Sequence, residues 1–71
     1  MTKDEAVKVE HGTILSHSFL VDYDGSPSQC RVTGSCKTWK HNIEKFQLPV
    51  KRGLYEYFYV SEDNKNQWEI S

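Results

Sequence analysis

Residues 54–60, Leu54-Tyr55-Glu56-Tyr57-Phe58-Tyr59-Val60, are the strongest β-forming run in the chain. Tyr55, Tyr57 and Tyr59 recur at every second position, while Leu54, Phe58 and Val60 belong to the other alternation. Successive side chains of an extended strand point to opposite faces. A period of two therefore places a tyrosine row on one face and an apolar row on the other.

The same period extends outward from this run. Upstream of Gly53, Phe46, Leu48 and Val50 alternate, with Pro49 among them. Proline cannot donate to a ladder, so the sequence predicts an edge strand or a bulged segment there. His41-Asn42-Ile43-Glu44-Lys45 lacks alternation and holds an asparagine suited to capping, which predicts one helical turn near 41–46. Cys30 and Val32 flank Arg31, and Thr33-Gly34-Ser35 reads as a turn into Cys36-Lys37-Thr38-Trp39-Lys40, a second hairpin. Asp24-Gly25-Ser26-Pro27 is the clearest break in the chain. Before it, Leu15, His17, Phe19, Val21 and Tyr23 share one alternation and predict a strand roughly ten residues long. Val7 and Val9 predict a shorter strand, turned at His11-Gly12 into a first hairpin. Downstream, the polar run Ser61–Asn66 turns into a last strand carrying Trp68 and Ile70.

These elements describe an all-β chain, a single domain over residues 1–71. About six short strands form an antiparallel sheet, curled or closed into a small barrel of SH3-like or OB-like size. The 37% apolar content and mean hydropathy of -0.72 point to a thin core. Nine aromatic residues, 13% of the chain, supply burial that disordered chains lack. A core of this size leaves little room for a deep catalytic cleft.

The net charge of -1 conceals an uneven distribution. Between Arg31 and Arg52 there are six Lys and Arg residues against Glu44 alone, a local balance of +5, and the flanks carry three cations against nine acids. Neither an apolar leader-like segment nor a membrane-length apolar run is present, and the two cysteines read as reduced thiols, so a cytoplasmic protein with no membrane partner is expected.

Several chemistries are open to these residues. Cys30, Cys36, His41 and His17 supply zinc-type donors, but the Cys-x5-Cys spacing does not fit a knuckle. Core thiols or a disulfide are the other readings of the pair. No motif for a nucleophilic triad, a zinc protease or a phosphate-cradling loop occurs, and a non-enzymatic protein without a cofactor is expected. The candidate binding residues are Lys37, Trp39, Lys40, Lys51 and Arg52, joined by Tyr55, Tyr57 and Tyr59. Exposed Tyr and Trp anchor protein interfaces, and a domain this small leaves a sheet face uncovered. The first expectation is therefore association with a protein partner or a second copy. The alternative is a single-stranded nucleic acid lying on the segment 31–59, with rings stacking on bases and ammonium groups meeting phosphates.

Overall fold

The computed structural model describes residues 1–71. The chain runs through α1 (Lys3–Lys8), β1 (Ile14–His17), β2 (Cys30–Val32), β3 (Lys37–Trp39), β4 (Asn42–Arg52), β5 (Glu56–Ser61), a 3-10 turn at Lys65–Gln67, and β6 (Trp68–Ile70). All six strands belong to one antiparallel sheet. The all-β expectation holds, in the form of a curled sheet.

The organising element is β4. Its 11 residues pair with β5 along one edge, from Gln47–Ser61 to Arg52–Glu56. Along the other edge it pairs first with β3 and then with β2. Beyond β2 the sheet continues through β1 to β6. Phe46, Leu48 and Val50 alternate into the core, joined by Leu15, Cys30, Val32, Val60, Trp68 and, from α1, Ala6. Trp68 is the largest fully buried side chain. The His17 ring stands edge-on to it at 4.8 Å between centroids, with His17 Nδ1 accepting from the Phe19 amide.

Four local expectations are corrected. Residues 3–8 form a helix, where Val7 and Val9 had predicted a strand and a hairpin. The Thr2 hydroxyl accepts from the Glu5 amide while the Glu5 carboxylate accepts from Thr2, a reciprocal capping box that compensates for the helix's brevity. Gly12, at φ 88°, still makes a turn, but it links the helix to β1.

The predicted strand from Leu15 to Tyr23 stops at His17. Phe19, Val21 and Tyr23 lie exposed on the segment before β2. Within that segment Asp24 Oδ1 accepts from both the amide and the hydroxyl of Ser26, which holds its carboxyl below the usual range. The carboxylate that accepts those bonds therefore persists through that range and is protonated only as the pH falls through its own lowered value.

Thr33-Gly34-Ser35 does not reverse the chain. Both β2 and β3 run antiparallel to β4 on the same edge, so residues 30–39 form one interrupted strand. The Thr33 amide donates to the Pro49 carbonyl, and Lys37 pairs with Gln47, leaving three residues opposite Leu48. This bulge explains Pro49. A strand residue directs its N and its carbonyl to the same side, so the missing proline donor faces the bulge, and a central strand tolerates it. A Cβ on Gly34 would lie 3.0 Å from Pro49 Cγ, so glycine lets the bulge close over the ring.

Residues 42–46 are strand, not a helical turn. Asn42 Oδ1 accepts from the Glu44 amide at 3.3 Å, an Asx-type bond at the start of β4. The two-residue loop Lys40-His41 joins Trp39 to Asn42, and residues 43–45 bulge between that pair and Thr38–Phe46. Lys3 of α1 donates to the Ile43 carbonyl there.

A candidate basic and aromatic sheet face

With Phe46, Leu48 and Val50 directed inward, alternation sends Lys45, Gln47, Pro49 and Lys51 to the other face of β4. Register carries this face across the sheet. Lys51 pairs with Arg31 on β2 and Tyr57 on β5, Pro49 with Tyr59, and Gln47 with Lys37. Trp39 follows Lys37 at the next position but one. One outer face of β2–β5 thus presents Arg31, Lys37, Lys45 and Lys51 with Trp39, Tyr57 and Tyr59.

The cations lie on the rings. Lys45 Nζ is 4.5 Å from the centre of the Trp39 ring and Lys37 Nζ is 5.1 Å from it. Lys51 Nζ is 5.0 Å from the Tyr57 ring. Tyr57 and Tyr59 are 69% and 55% exposed, and Trp39 is half-buried. Glu44 and Glu56, the only acids between residues 30 and 61, belong to the opposite alternation of their strands. The chain's single ion pair is Arg52–Glu56, so all four cations of the outer face lack a carboxylate partner.

Of the sequence-predicted residues, Lys37, Trp39, Lys51, Tyr57 and Tyr59 share this face. Lys40 sits in the loop after Trp39, and Tyr55 in the β4–β5 turn, 86% exposed. Arg52 belongs elsewhere. Its guanidinium donates to both Glu56 oxygens, at 3.1 and 2.6 Å, and to Ser28 Oγ at 3.2 Å. The Glu56 hydrogen bond holds that guanidinium charged still more firmly than usual. Ser28, fully buried, donates in turn to Asp22 Oδ1 at 2.7 Å. This chain of bonds fastens the segment before β2 to the end of the β4–β5 hairpin. Replacing Ser28 by Ala should lower unfolding free energy by about 1–3 kcal/mol, since it strips a buried partner from two charged groups. Chemical denaturation of the variant checks this, and an unchanged midpoint would reject the fastening role.

Two outer-face residues, Lys45 and Arg31, were missed as site residues. The signal was available. Both sit one residue from an inward-facing apolar position, Phe46 and Val32, so their parity could have assigned them to the face that carries Lys51. Cys30 is buried in the core and Cys36 is partly buried; both are free thiols. Burial pushes both thiols up, which disfavours the reactive thiolate. No three His, Cys, Asp or Glu side chains converge to hold a metal ion, and no helix is long and apolar enough to cross a membrane.

In comparison with known proteins, the chain matches no family model, no curated protein and no solved structure.

Proposed function

We propose that the outer face of β2–β5 binds a single-stranded nucleic acid. The observation that carries this reading is four cations without acidic partners, interleaved on one sheet face with Trp39, Tyr57 and Tyr59. Bases stack on rings whatever their identity, and Lys and Arg meet the phosphates that follow. The three lysines resting on rings need only swing off to reach a phosphate and free a π-face. From Lys45 to Lys51 the face extends about 20 Å along β4. The net charge of -1 does not count against this reading, because eight of the ten acids lie outside residues 30–61 and none pairs with a cation of the outer face.

Association with a protein is the second reading. Phe19, Val21 and Tyr23, 75%, 53% and 111% exposed, support it. The free edge of β5 supports it less. Asn64 Nδ2 donates to the Tyr59 carbonyl and its Oδ1 accepts from the Ser61 amide, so part of that edge is already occupied by a side chain.

Titration with a short single-stranded oligonucleotide separates the readings. Trp39 fluorescence should quench while buried Trp68 stays constant, and Trp39→Phe should remove the response. If four phosphates are neutralised, the slope of log K against log salt is about -2.8, or roughly fifty-fold weaker binding from 50 to 200 mM salt. A flat titration at low salt rejects the proposal. Sedimentation showing a dimer, together with that flat titration, would favour protein association.

A further inference from the structure

Where the outer face meets the β4–β5 turn there is a hollow of about 210 Å3, lined mainly by Ile14, Arg31, Thr33, Lys51, Gly53 and Leu54. Arg31 and Lys51 stand directly opposite each other across the β2–β4 ladder. Side chains so placed begin roughly 5 Å apart at Cβ, and like charges there repel. Such a pair is ordinarily relieved by a nearby carboxylate. None is present: the chain's only ion pair is Arg52–Glu56, and every other residue lining the hollow is neutral.

The surroundings suit an anion. Ile14, the cross-strand neighbour of Arg31, and Leu54 in the turn place apolar walls beside the two charges. Apolar walls lower the local dielectric and strengthen attraction for a charge of opposite sign. Arg offers a planar fork of donors matched to phosphate oxygens, and Lys adds a mobile point charge. Tyr57 is next in the same cross-strand row, with its ring 5.0 Å from Lys51 Nζ. A phosphate held by Arg31 and Lys51 would therefore leave the adjoining base beside a tyrosine ring.

We infer that this hollow is a phosphate seat, with Arg31 and Lys51 as its two grips. The inference deepens the nucleic-acid reading and rests on it for the source of the phosphate, a strand lying along the outer face. The seat itself is testable without that strand. In an amide-resolved NMR titration with inorganic phosphate, ionic strength held constant with chloride, the Thr33 and Gly53 amides should shift saturably. Arg31→Gln should weaken that response roughly tenfold. Shifts no different from those in chloride alone overturn the seat, whatever the oligonucleotide result.

A second arm identifies the source, using oligonucleotides with and without a terminal phosphate. Preference for the phosphorylated strand that Arg31→Gln abolishes assigns the seat to a strand end. Equal affinity for both strands, weakened equally by Arg31→Gln, assigns it to an internal phosphodiester. A saturable phosphate response with no oligonucleotide binding keeps the seat, assigns it to a small phosphorylated compound, and removes the nucleic-acid reading.

Discussion

Reversing the charge of Lys37, Lys45 and Lys51 together should abolish oligonucleotide binding while the fold stays intact. The outer face of β2–β5 carries four cations and no acid, so three Lys→Glu changes take it from +4 to -2, with Arg31 the remaining cation. Each lost charge-assisted contact costs at least about 1.5 kcal/mol, which for three gives roughly a thousandfold before the new repulsion is counted. The fold should tolerate the change because Lys37 is exposed, Lys45 and Lys51 are only partly buried, and none makes an ion pair. At position 51 a carboxylate would even face Arg31 across the ladder and replace repulsion by attraction. Fluorescence titration at low salt reads the binding, and a denaturation curve reads the fold. Undiminished affinity in the folded triple variant would remove the outer face from the function.

The alternations that place this face were legible in the sequence because they are local. Phe46, Leu48 and Val50 read as an inward row, Tyr57 and Tyr59 as a row set against Phe58 and Val60, and Lys37 and Trp39 as neighbours on one face. What failed was how those rows are joined. Gly34 is compatible with a turn and with a bulge, and only the ring of Pro49, fifteen residues away, decides between them. Of the two readings Pro49 allowed, an edge strand or a bulged segment, the bulge holds: β4 is central and accepts proline where its partner bulges away. The helix at Lys3–Lys8 is too short to show a helical period; its signature was the pair Thr2 and Glu5, three residues apart. Phe19, Val21 and Tyr23 keep the right alternation for a strand, but the chain leaves the ladder after His17 and no neighbour buries them. Arg52 joined the site on charge and proximity to Lys51. Adjacent strand residues point oppositely, and Arg52 is instead consumed by Glu56 and Ser28.

The parity of β4 underlies both the core and the site, and Phe46 tests it most severely. Phe46→Ala should leave the chain largely unfolded. The ring is fully buried, opposite Thr38, in a cluster of nine residues. Truncating a buried Phe to Ala costs about 3–5 kcal/mol, through lost transfer energy and the cavity left behind. A core in a domain of this size supplies about 3–5 kcal/mol in total, so the two are comparable. Its neighbour Gln47 faces the other way, and Gln47→Ala should change stability by no more than about 0.5 kcal/mol. Two adjacent positions, one lethal to the fold and one nearly silent, are the signature of this register, because a slip of one residue would exchange the faces of the whole strand. Circular dichroism and urea denaturation measure both variants. A cooperative transition at the wild-type midpoint for Phe46→Ala, or collapse of Gln47→Ala, would reverse the assignment of β4 and move Lys45 and Lys51 off the shared face.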